Sequence, residues 1–182
     1  MTLQNKKTKQ EKQEKYTVKW IAKIGLFSAF AIIISYIESL IPIPIGIPGI
    51  KPGFANIVII IMLYAMDVKS AAITNLIRIL IIGIMFGNVF SVLFSVTGAA
   101  LSMISMVFVK KIKGVGMIGV SVCGGVFHNI GQIIAAMFVT TVYSVLYYVP
   151  FLIVGGVITG ILVGMLADII YKRVIVRLED IS

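Results

Sequence analysis

Acidic residues are nearly missing from the body of this chain. Only seven of its 182 residues are Asp or Glu, and Asp67, Asp168 and Asp180 stand far apart. It therefore lacks the paired aspartates that hold magnesium on a diphosphate. The one histidine, His128, has no cysteine or carboxylate at metal-ligand spacing. The one cysteine, Cys123, excludes a disulfide framework and reads as a small apolar side chain. No glycine-rich phosphate loop precedes a lysine, so the chain is not expected to hydrolyse ATP by itself. The expectation is a non-enzyme that carries no metal and no cofactor.

Charge is scarce as well. Charged residues make up 13% and hydrophobic residues 59%, whereas globular domains run near ~25% and ~45–50%. The apolar excess lies between Trp20 and Tyr171, more than a soluble fold of this size can bury but suited to a bilayer. A helix needs ~20 apolar residues to cross the ~30 Å hydrocarbon layer. Six segments approach that length: Trp20 to Ile41, a short one from Gly53 to Met66, Ala71 to Phe86, Val89 to Val109, Val115 to Val142, and Val145 to Tyr171. The reading is an all-α membrane protein, a compact bundle of six transmembrane helices. Residues 1–19 form a basic, disordered tail on anionic lipid, 20–172 the transmembrane domain, and 173–182 a short second tail.

The net charge of +9 would raise nucleic acid in a soluble protein. Here its placement gives topology instead. All basic residues except Lys51 and Arg78 fall at the two ends or in the turns holding Lys69 and Lys110, Lys111 and Lys113. By the positive-inside rule both termini are cytoplasmic in a multi-pass protein of the cell membrane. The bilayer, not nucleic acid, is the partner that this charge implies.

Polar residues inside spans are costly and each needs a partner or a role. Ile41 to Gly53 is a loop of prolines, glycines and isoleucines that cannot continue a helix. It reads as a lid over the outer end or as a rigid connector, with Glu38 before it and Lys51 near its end. Asn56 follows, suited to a packing hydrogen bond or a ligand contact. Asn75 and Arg78 are three apart on one helix face. Arg78 lies mid-span, where its guanidinium needs a ligand anion or a structural partner such as Glu38. His128 and Gln132, four apart, share a face, with Asn129 ~100° round; three polar side chains so close favour a pocket over simple packing. Gly156, Gly160 and Gly164 form a stripe that permits close helix contact, in the bundle or with a partner, and Gly25 with Ala29 is a weaker version. Together Glu38, Lys51, Asn56, Asn75, Arg78, His128, Asn129 and Gln132 could line one outward-facing cavity for an anionic or carbonyl-rich ligand.

The run from Pro42 to Asn56, Arg78, and the run from Gly119 to Gln132 with its His128-Asn129-Ile130-Gly131-Gln132 string resemble the Gx transporter family. That family is also catalogued as heptaprenyl diphosphate synthase component I. The resemblance covers about residues 20–172. The family in turn is similar to the S components of energy-coupling-factor (ECF) transporters, six-helix proteins that bind a vitamin from outside. The resemblance implies uptake of a small metabolite, with a transmembrane coupling subunit and ATPases as partners. The S-component docking pattern of alanines four apart on the first helix has its nearest match in Gly25 and Ala29. The family's other name implies instead a non-catalytic membrane subunit beside a soluble prenyl synthase in menaquinone side-chain synthesis.

Overall fold

A computed structural model describes residues 3–40, 53–140 and 143–175, and no strand occurs among them. Six α-helices follow one another: α1 (Leu3–Leu40), α2 (Asn56–Ala65), α3 (Val68–Phe86), α4 (Val89–Lys110), α5 (Met117–Thr140) and α6 (Val149–Ile170). A 3-10 turn, Tyr143–Tyr148, leads into α6, and a π turn, Tyr171–Ile175, leaves it. The helix starts follow local chemistry. The Asp67 carboxylate accepts the Ser70 N–H at 2.8 Å at the head of α3. Asn88 and Ser91 exchange side chain and backbone bonds at the head of α4. Pro150 sits in the first turn of α6, where a missing N–H costs nothing. Gly114, at φ +90°, permits the reversal between α4 and α5.

One expectation changes and one is sharpened. α1 begins at Leu3, inside the stretch read as an unstructured tail. Lys, Gln and Glu are good helix formers, and extending a helix already nucleated costs far less than starting one. The second apolar segment, expected as a short span from Gly53 to Met66, is a helix of ten residues, about 15 Å long. Five helices are long and apolar enough to cross a membrane, and α2 is not among them. Ile57 through Leu63 are all buried, against α1, α3 and α6. α2 nevertheless runs from the end where Gly53 meets Glu38 to the end where Ser70 meets Trp20, so it passes between the two ends of the bundle sheathed in protein. It reads in sequence like a shortened span because both are uninterrupted hydrophobic runs.

Outside, the protein is apolar. Phe30 on α1 is 52% and Phe138 on α5 is 83% exposed, and every long helix presents such side chains outward, where lipid would cover them. Inside lie Ser28, Ser70, Thr74, Asn75, Ser102, Ser105 and Ser121. The bundle has two distinguishable ends. At the basic end, Trp20 donates to Ser70 Oγ at 2.9 Å, Tyr64 meets Tyr171 with ring centroids 6.1 Å apart, and Lys110 donates to Leu63 O at 2.6 Å. At the opposite end the rings of Tyr36 and Phe86 meet at 5.2 Å.

Glycines bring α4, α5 and α6 into backbone contact. A Cβ built on Gly131 would lie 2.8 Å from Gly98 Cα, between α5 and α4. One on Gly160 would lie 2.6 Å from Val122 Cα and one on Gly164 2.7 Å from Ile118 Cα, between α6 and α5. Such approaches leave room for no side chain.

Candidate functional site

Between this tight trio and the α1–α3 side lies a cavity of about 680 Å³, within the range of small-molecule sites. Each helix contributes to its wall. α1 presents Glu38 and Ser39 at the end opposite the basic one. α2 presents Asn56, Ile59 and Ile60, and α3 presents Asn75, Arg78 and Ile79. α4 adds Ser91, Ser95, Ser102 and Met106; α5 adds Ser121, His128, Asn129 and Gln132; α6 adds Thr159 and Val163. The wall is therefore largely apolar, with Ile82, Phe86, Phe94, Ile133 and Leu152 also on it, and is studded with hydroxyls and amides.

Helix periodicity explains the convergence. Asn75 and Arg78 are one turn apart, and Arg78 Nη2 donates to Asn75 Oδ1 at 2.8 Å. Ten residues separate Arg78 from the head of α3, about 15 Å along a helix of about 28 Å, so the guanidinium is midway. Its Nε is buried without a hydrogen-bond partner. Glu38, the structural partner that the sequence offered, makes no ion pair with it within 4 Å, although its charge still acts on the guanidinium across the cavity. The ion pair found among the described residues is Lys172–Asp168. The Glu38 carboxylate instead accepts the Gly53 N–H, at a residue whose φ of +71° favours glycine. It thus ties the end of α1 to the chain entering α2.

On α5, Gln132 Nε2 and His128 Nε2 lie 3.1 Å apart. The two side chains hydrogen-bond to each other across one helical turn, with donor and acceptor set by the imidazole tautomer. Gly98 lets the ring approach α4, since a Cβ there would lie 3.0 Å from His128 Cε1. Asn129 Nδ2 donates to Leu152 O at 2.7 Å and so bolts α5 to α6 while still touching the cavity. The buried hydroxyl of Ser121 has no partner.

Of the residues singled out in the sequence, Glu38, Asn56, Asn75, Arg78, His128, Asn129 and Gln132 line this one cavity. Lys51 and the proline loop before it lie outside the described residues. Gly156, Gly160 and Gly164 pack against α5, and Gly160 also reaches the wall. Gly25 has nothing within 4 Å of a built Cβ, and Ala29 is exposed, so that face of α1 is open. The sequence reading missed the hydroxyls of α4. Their signal was present: Ser91, Ser95, Gly98 and Ser102 are spaced four, three and four apart, the repeat of a single helix face.

A family model described as heptaprenyl diphosphate synthase component I matches residues 27–170. No curated protein and no solved structure matches the chain. The chain belongs to the heptaprenyl diphosphate synthase component I family.

Proposed function

We propose that this member of the heptaprenyl diphosphate synthase component I family is the ligand-binding membrane subunit of an uptake system. It takes a small polar metabolite from the outer side, as ECF S components do. A transmembrane coupling subunit and ATPases supply the energy. One observation carries the reading: seven polar side chains from α1, α2, α3 and α5 meet in one cavity inside a protein whose exterior is apolar. A structural bundle gains nothing from a hollow lined with hydroxyls, amides and a mid-helix arginine. The basic end supports an orientation with both termini in the cytoplasm, which turns the Glu38 end of the cavity outward.

The test is a thermal-shift screen of soluble metabolites on the full chain in an uncharged detergent. A true ligand at ~100 times its dissociation constant should add ~2.7 kcal/mol. Gln132→Leu should abolish the shift, because it removes the His128 partner and a wall amide. A hit that Gln132→Leu leaves intact would place the ligand elsewhere.

The family description favours a second reading, a non-catalytic membrane component that works beside a soluble prenyl diphosphate synthase. That reading expects co-purification with such a synthase, and stabilisation by prenyl diphosphates but not by soluble metabolites.

A further inference from the structure

The charges in the cavity narrow what can enter it. Among the described residues its wall holds one permanent cation, Arg78, and one carboxylate, Glu38. Glu38 is engaged with the Gly53 N–H and stands beyond ion-pair distance from Arg78. His128 is engaged with Gln132 at 3.1 Å. Arg78 therefore sits midway along α3 with the Asn75 amide oxygen as its hydrogen-bond partner and with Nε buried and unmatched. A guanidinium carries five N–H donors in a planar fork, whose natural complement is a two-oxygen anion.

We propose that the cavity binds a small monocarboxylate, its carboxylate held by Arg78 and its polar body set against the α4 hydroxyls and the α5 amides. This rests on the uptake reading above and gives its ligand a chemical class. The Arg78 fork sets the class, and charge arithmetic limits it to a single negative charge. One negative charge brings Arg78, Glu38 and ligand to a net of minus one, whereas a diphosphate would bring two or three charges to a single cation beside a carboxylate. No aspartate pair is available to recruit magnesium against that excess. A phospholipid headgroup also carries one charge, and its acyl chains could lie along Phe86, Phe94 and Ile133, but they would leave the hydroxyls of Ser91, Ser95 and Ser102 unmatched.

A cation kept for a ligand, with donors still unfilled, has a signature that requires no knowledge of the ligand. Replacing it with an apolar side chain of similar length should relieve the empty protein. The full chain, Arg78→Met and Arg78→Lys are compared by thermal unfolding in an uncharged maltoside. The probes are benzoate, 4-hydroxybenzoate and nicotinate, each beside its amide, together with inorganic pyrophosphate and phosphatidylglycerol. The expected results are a higher midpoint for Arg78→Met than for the parent without ligand, and stabilisation of the parent by at least one acid but not by its amide. Binding of that acid should fall about 100-fold in Arg78→Met. It should weaken but persist in Arg78→Lys, which keeps the charge and loses the fork.

An Arg78→Met protein that is less stable than the parent, or does not fold, makes the arginine structural and overturns the proposal. So does equal acid binding by Arg78→Lys, a parent that responds to none of the three acids, or stronger stabilisation by pyrophosphate or phosphatidylglycerol. An amide that stabilises the parent as well as its acid does, with the effect lost in Gln132→Leu, sinks the carboxylate and leaves the binding reading standing.

Discussion

The two sides that face each other across the cavity are joined by different means. α4, α5 and α6 meet backbone to backbone: a Cβ on Gly125 would lie 2.6 Å from Gly156 O, and one on Gly160 as close to Val122 Cα. α1, α2 and α3 are joined by side chains, through Trp20 and Ser70, Tyr36 and Phe86, and Glu38 with the Gly53 N–H. Backbone contacts are short-ranged, and parting them by an ångström forfeits much of their dispersion energy. Side-chain bridges can exchange partners at little cost. The glycine-packed side is therefore the fixed wall, and rearrangement on binding is expected on the side that carries Arg78 and Glu38.

The largest effect that could break this contrast comes from bulk placed on each side. Gly160→Leu forces α5 and α6 apart and should cost about 3 kcal/mol, the upper range for overpacking. Gly25→Leu on α1 meets nothing within 4 Å and should stay within about 0.5 kcal/mol of the parent, as surface changes do. Reversible unfolding of both variants in the same detergent reads the difference. Equal losses would mean that α1 is as tightly held as α6, and the distinction between the walls would fall.

A smaller effect tests how α2 is anchored on the adaptable side. Its last turn would leave carbonyls unmatched in an apolar setting, and Lys110 reaches across from α4 to accept that role. Its Nζ donates to Leu63 O at 2.6 Å and lies 4.5 Å from the Tyr64 ring centroid. A cation at a helix C-terminus also meets the negative end of the dipole. Lys110→Met should cost about 2 kcal/mol, the range of a hydrogen bond to a charged group. A loss below about 0.5 kcal/mol would show that burial of Ile57 to Leu63 holds α2 unaided.

Which parts of this were legible in sequence follows from the range of each signal. The five long helices were, because hydropathy over ~20 residues reports burial in lipid directly. The meeting of His128 and Gln132 was legible from i, i+4 spacing, and a close helix contact by α6 from glycines four apart, though not that α5 is the neighbour. The shortness of α2 was legible but its burial was not, since an apolar run has the same composition whether lipid or protein surrounds it. The fate of Glu38 was beyond reach. Whether it meets Arg78 or the Gly53 N–H depends on how α1 and α3 are placed, and no local pattern encodes that. The α4 hydroxyls were missed for a plainer reason: serine is small and common in membrane helices, so its periodicity is quiet beside that of a charge.

The smallest effect sharpens the comparison at the helix heads. α3 starts on a titratable cap, Asp67, and α4 on a neutral one, Asn88. The Ser70 N–H, more than any other contact, holds the Asp67 carboxyl below its usual value, with the Ser70 hydroxyl and Lys69 adding to it. A carboxyl depressed in the folded state contributes stability that is full above its ordinary value of ~3.9 and is lost as pH falls through the folded one. Acid should therefore loosen the first turn of α3 before that of α4. Hydrogen–deuterium exchange, corrected for intrinsic rates, should show protection at Ala71 dropping below about pH 4 while that at Val92 holds. Asp67→Asn keeps an acceptor for the Ser70 N–H and should flatten the α3 profile. The change will be modest, because Asp67 is exposed and water replaces much of what it loses. If both helix heads loosen together, or Asp67→Asn leaves the profile unchanged, the acid sensitivity belongs to the bundle as a whole and not to the cap of its adaptable side.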